Sequence, residues 1–136
     1  RQTSIPGVFA CGNVLQVHDM VDFVSTEGFI AGKGAADYIK NGDTVKEDLK
    51  TKAVLPISYT IPQNISTTNL DEDVSMFMRV NRVVPTGFVV VKLNGEEIYR
   101  KKELKFLPGE MINITIKKDL IKDQKGELTF EIEEAE

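Results

Sequence analysis

Hydrophobic positions recur along this chain with two periods, and the change between them divides it. From about Met20 to Lys40, Val21, Val24, Gly28, Ala31, Ala35 and Ile39 fall three or four residues apart, the spacing of one helix face. Asn41-Gly42 supplies a stop. Beyond Thr51 the period becomes two. Ile57, Tyr59 and Ile61 alternate with other residues and end at Pro62. Val74, Met76, Met78 and Val80 alternate with Ser75, Phe77 and Arg79. Phe88 to Leu93 runs into Asn94-Gly95, a strong hairpin signal, and continues as Glu96 to Lys101. Leu104 to Leu107 precedes a Pro108-Gly109 turn. Ile112, Ile114 and Ile116 alternate with Met111, Asn113 and Thr115. A polar connection with one helical turn (Asp119 to Gly126) leads to a last strand carrying Leu128, Phe130 and Ile132.

About six or seven short strands at such spacing predict a mainly β chain, an antiparallel β-sandwich of immunoglobulin-like type over residues 51–136. Residues 1–50 read differently. Ile5-Pro6-Gly7 is a turn, and Val8 to Cys11 is uniformly apolar, as in a strand covered on both faces of a parallel sheet. Gly12-Asn13 is a corner, Val14 to Asp19 a loop, and the helix follows. Asp43 to Lys52 is charged and reads as a linker, with a short helix over Val45–Lys50. A strand, a corner and one helix have no core of their own, so residues 1–50 are expected to be the remnant of a larger α/β domain.

Composition narrows the function classes. The chain has 136 residues, 41% hydrophobic and 28% charged, with a net charge of −4. Residues 1–50 hold 5 Lys/Arg against 7 Asp/Glu and residues 51–136 hold 12 against 14, so each part carries −2. Neither has the basic footprint of a nucleic-acid binder. No apolar run approaches the roughly 18 residues of a membrane span, and no signal peptide is present, so a soluble chain is expected. One cysteine excludes an internal disulfide and a multi-cysteine zinc site, and fits a reducing cytoplasm.

The order of motifs in the first 40 or so residues is specific. Thr3-Ser4-Ile5-Pro6-Gly7-Val8-Phe9-Ala10-Cys11-Gly12-Asn13-Val14, followed by Glu27-Gly28, Ala31-Gly32, Ala35-Ala36 and Tyr38-Ile39, resembles the last FAD-contacting segment of the pyridine-nucleotide-disulfide oxidoreductases, the thioredoxin-reductase-like flavoproteins. Cys before Gly-Asn and the Val17-His18-Asp19 loop are most similar to the FAD oxidoreductases that accompany anaerobic glycerol-3-phosphate dehydrogenases. The resemblance implies a C-terminal piece of an FAD-dependent, NAD(P)-type oxidoreductase, catalytically incomplete by itself, and the opening in mid-motif leads to the same expectation. Its partners would be the remainder of the parent flavoprotein, a partner dehydrogenase subunit, or a second copy. A reading of another class makes the sandwich a protein-interaction or oligomerisation module.

By that resemblance the cofactor contacts are Gly12, Asn13, Val14, Asp22 and Phe23. In the flavoproteins the corner is usually Gly-Asp, whose carboxylate accepts a ribityl hydroxyl. Asn13 can accept the same bond and adds donors; otherwise it is a turn residue tolerant of a left-handed backbone. N–H groups around Val21, Asp22 and Phe23 would face the flavin at the helix start, unless Asp19 or Asp22 simply caps the helix. His18-Asp19 could move protons beside a flavin, but adjacency alone reads as a loop anchor. Cys11 reads as a small buried hydrophobe. Gly28, Gly32 and Gly34 lie within the helix pattern and form no phosphate loop. No catalytic residue and no metal ligand set is assigned.

Overall fold

The computed structural model describes residues 1–44, 46–68 and 70–135. The chain divides into two compact units, Arg1–Val45 and Lys46–Glu136.

In the first unit the expected apolar strand does not form. Ile5-Pro6-Gly7 turns the chain back on itself, with Val8 N–H donating to Ile5 O at 3.1 Å. Phe9 then makes an antiparallel bridge to Gln2, and Ala10 N–H donates to Arg1 O at 3.0 Å. Local closure gives the apolar run a partner without a parallel sheet. Gly12–Val14 is a single 3-10 turn. Helix α1 spans Val21–Asn41 and ends at Gly42, whose φ of 73° lets its N–H reach Tyr38 O at 2.8 Å. The inward face matches the expected one only in part: of its six residues Ala31 is buried and Val24 and Ala35 are half-buried. Val21 and Ile39 are 77% and 83% exposed, while Glu27 and Ala31 are buried. The periodicity counted glycine and alanine as core-facing and passed over Glu27. Its carboxylate is neutralised by Arg1 (2.5 and 2.7 Å), and Phe9 meets Tyr38 edge-on at 6.3 Å.

The second unit is a β-sandwich, as the alternation predicts. Its strands are β1 (Leu49–Ala53), β2 (Ile57–Ile61), β3 (Asn64–Ile65), β4 (Val74–Val80), β5 (Gly87–Leu93), β6 (Glu96–Glu103), β7 (Ile112–Ile116) and β8 (Gly126–Glu134), with a one-turn helix α2 (Lys118–Ile121) before β8. One sheet has the order β3-β1-β8-β5-β6 and the other β2-β4-β7. Side chains from both sheets form one core, including Leu49, Val89, Val91, Leu128 and Phe130 from the first and Ile57, Met76, Met78, Ile114 and Ile116 from the second. Alternate residues of each strand enter this core because side chains alternate across a pleated strand.

Two features depart from expectation. The supposed linker contains β1, with Asp48 and Leu49 buried. Of the short helix expected over Val45–Lys50, Val45 lies outside the described residues, and Leu49 and Lys50 are strand. Lys50 and Lys52 disguised an alternation in which Leu49 alone is a large apolar residue. Also, β1 runs parallel to β8, from Leu49 beside Gly126 to Ala53 beside Phe130, so the first sheet is mixed.

Candidate functional site

The segment expected to touch a cofactor lies at the start of α1. Cys11 is extended (φ −150°) and half-buried; Gly12 follows with φ +63°, a left-handed value that glycine reaches without strain. Gly12 is buried, and a Cβ there would come within 3.3 Å of Val24 Cγ1, so the helix holds the corner close. Its carbonyl accepts Leu15 N–H at 3.0 Å and Gln16 N–H at 3.3 Å, closing the 3-10 turn. Asn13 is exposed, and its carboxamide oxygen accepts His18 N–H across the loop at 3.3 Å, a long bond. Val14 is 82% exposed.

At the helix start Met20 is the N-cap, in extended conformation, and its own side chain makes no capping hydrogen bond. The N-cap position thus belongs to Met20, between Asp19 and the first turn that holds Asp22. Asp22 sits in the first turn, where its charge complements the helix dipole. Its carbonyl accepts the Thr26 hydroxyl at 2.9 Å. Phe23 stacks on the His18 ring, centroids 6.5 Å apart and planes 29° from parallel. His18 is 8% exposed. Gly12, Asn13, Val14, Asp22 and Phe23 thus belong to one loop-and-helix corner, with Gly12 held against Val24 and Asn13 tied to His18, whose ring stacks on Phe23.

Two clusters in the chain were not singled out from the sequence. One is the Arg1–Glu27 pair, with side-chain exposures of 8% and 1%. Its signal was an acid on the stripe that also holds Val24 and Ala31. The other is Asp48, whose Oδ2 accepts Thr67 N–H at 3.0 Å, Thr68 N–H at 3.3 Å and the Thr68 hydroxyl at 3.2 Å. The Thr67 N–H leads in holding the Asp48 carboxyl below its usual range, against the opposing effect of burial, with Thr68 adding to the lowering. Both clusters are internally satisfied and hold structure. Asp73 is likewise lowered, first by the Lys117 ammonium and then by Lys118 N–H.

A shallow polar groove of about 400 Å³ opens on the second unit, beside Lys50, Tyr59, Gln63 and Asn64. Among the described residues no group of three or more His, Cys, Asp or Glu side chains is placed to hold a metal ion, and no helix is long and apolar enough to cross a membrane.

Comparison with known families, with curated proteins and with solved structures returns no match.

Proposed function

We propose that this chain is the C-terminal part of an FAD-dependent oxidoreductase working with NAD(P), in which residues 1–45 supply one wall of the flavin site. The observation that carries the reading is the corner at Gly12-Asn13-Val14. Its left-handed glycine, its exposed Asn13 and Val14, and the N-terminus of α1 lie together, in a sequence that resembles the last FAD-contacting segment of the thioredoxin-reductase-like flavoproteins. The glycine lets the corner pack against Val24, which sets the exposed Asn13 and Val14 beside the helix start, where backbone N–H groups suit a polar ligand edge.

The outer surface of α1 also supports it. Val21, Ser25, Gly28, Gly32, Ala36 and Ile39 share an exposed face without a charge, and a Cβ at Gly28 or Gly32 would meet open space. A solvated helix face ordinarily carries charge; this one suits packing against further protein. These residues fit one edge of FAD. They offer no phosphate loop and no electron relay, so the bound flavin's redox chemistry would belong to the whole protein.

The test is to express the gene encoding this chain from its own start codon and measure bound flavin. The expected product is yellow, releases FAD on denaturation, and loses much of its flavin with Gly12→Val, which forces a branched side chain onto a left-handed backbone beside Val24. A colourless product that takes up no added FAD would overturn the reading.

A further inference from the structure

The sandwich has four edge strands, β3 and β6 in one sheet and β2 and β7 in the other. Three are defended against pairing with another chain. β3 is two residues long. β6 carries Glu96, Glu97, Arg100, Lys101, Lys102 and Glu103 among its eight residues. β2 lies between Pro56 and Pro62 and has a register break between Ile57 and Tyr59. Short length, charge, proline and bulges are the usual means of blunting an edge. β7 has none of them. Its sequence Ile112-Asn113-Ile114-Thr115-Ile116 is uncharged, pairs with β4 in an unbroken register, and has no strand on its other side among the described residues.

We propose that β7 pairs antiparallel with β7 of a second copy of this chain, across a two-fold axis through Ile114, joining two three-stranded sheets into one. The sequence is self-complementary about that point. Ile112 falls opposite Ile116 of the partner subunit, Ile114 opposite Ile114 of the partner subunit, and Asn113 opposite Thr115 of the partner subunit. The isoleucines already face the core, with Ile114 and Ile116 buried, so pairing adds backbone hydrogen bonds and the outer-face contacts of Asn113 and Thr115. Thr115 is exposed. In the two-fold register each Thr115 hydroxyl stands across from the Asn113 carboxamide of the partner subunit and can accept from its Nδ2, twice per dimer. The match of amide to hydroxyl favours a second copy over an unrelated strand.

A five-residue edge pair buries less than a standard interface, so dissociation constants between about 1 μM and 1 mM are expected. The test is sedimentation of the full chain in three forms. Wild type should dimerise as concentration rises. Asn113→Lys with Thr115→Lys places lysines opposite one another in both outer pairs and should weaken dimerisation at least about tenfold. Asn113→Lys with Thr115→Glu makes the same two pairs attractive and should dimerise at least as well as wild type. A wild type monomeric up to about 1 mM, or two double variants that dimerise alike, would overturn the proposal. Disulfide trapping keeps it testable if the charged variants fold poorly. In a Cys11→Ser background, Asn113→Cys and Thr115→Cys chains should cross-link when mixed and oxidised, because directly opposed strand residues lie within disulfide reach. Cross-linking of either alone as efficiently as the mixture would show another register and overturn it.

Discussion

Arg1 and Glu27 grip each other with two parallel hydrogen bonds, Nε to Oε2 at 2.5 Å and Nη2 to Oε1 at 2.7 Å, with both side chains almost completely buried. The pair ties the first residue to the second turn of α1, 26 positions along, and it closes the hairpin of residues 1–10 over the helix.

Removing one partner of such a pair leaves an uncompensated charge inside, at a cost of about 3–5 kcal/mol. Glu27→Ala should therefore unfold the hairpin and fray α1. The expected observations are reduced helical ellipticity and fast hydrogen exchange at Ala10 N–H, which now donates to Arg1 O. Unchanged exchange at Ala10 would show that the pair is dispensable.

The boundary of the sandwich gives a sharper experiment. A chain of residues 46–136 keeps β1 between β3 and β8, with Leu49 completely buried. A chain starting at Ala53 loses that strand, exposing the facing edge of β8. Leu49 alone accounts for about 2–5 kcal/mol, a large part of a small domain's stability. The longer chain should melt cooperatively, and the shorter should melt far lower or not fold. Equal melting temperatures would remove β1 from the cooperative unit.

How much of this was legible in the sequence depends on what each residue had to signal. The hairpin of β5 and β6 was readable because Asn94 (φ 50°) and Gly95 (φ 92°) are the residues that such a tight turn requires. β4 and β8 were readable because several large apolar residues alternate. β1 was not: Leu-Lys-Thr-Lys-Ala has one large apolar side chain, and Thr51 satisfies its hydroxyl against Thr60 and Pro62 instead of burying hydrocarbon. Glu27 was hidden for a similar reason, since its burial depends on Arg1, and contacts remote in sequence leave no periodic trace. The corner at Gly12-Asn13 was visible as a motif, while the bond from His18 N–H to Asn13 Oδ1 required the folded loop.

The side chain of Asn94 reaches across to β8, donating to Lys125 O at 2.9 Å and accepting Glu127 N–H at 3.0 Å. Gly126 lies between those two residues with φ 122°, and a Cβ there would collide with the Asn94 side-chain oxygen. Gly126→Ala should cost more than the roughly 1 kcal/mol of a simple glycine-to-alanine strain, because the Asn94 bonds are lost too. Asn94→Ala in the same background should recover little or none of it. Additivity of the two changes in denaturant melts would show that the residues act separately.

Acid should loosen the Asp48 anchor. Its carboxyl is held below the ordinary value of 3.8, first by Thr67 N–H. A depressed carboxylate stabilises the fold in full above its unfolded pKa, and the benefit is lost as pH falls from 3.8 through the lower folded value. Asp73 acts in the same direction. Melting temperature should be flat near neutrality and fall steeply below about pH 4, with a shallower fall in Asp48→Asn. An identical acid slope in that variant would assign the acid sensitivity elsewhere.

The last prediction concerns flavin. Residues 1–45 offer a ligand one glycine corner, one exposed amide and one helix start, and the sequence contains no glycine-rich phosphate loop. On the proposed reading such a wall would align one edge of FAD and leave its pyrophosphate and adenosine without partners. The few contacts must offset the rigid-body entropy of association, about 4–15 kcal/mol, before any binding is seen. Titrating FAD into this chain alone should therefore give no saturable change in flavin fluorescence up to about 100 μM, whereas the product made from the gene's own start codon should retain it. Stoichiometric micromolar binding by the 136 residues would mean that the corner is a complete site, and Asn13→Leu would then be the variant to abolish it.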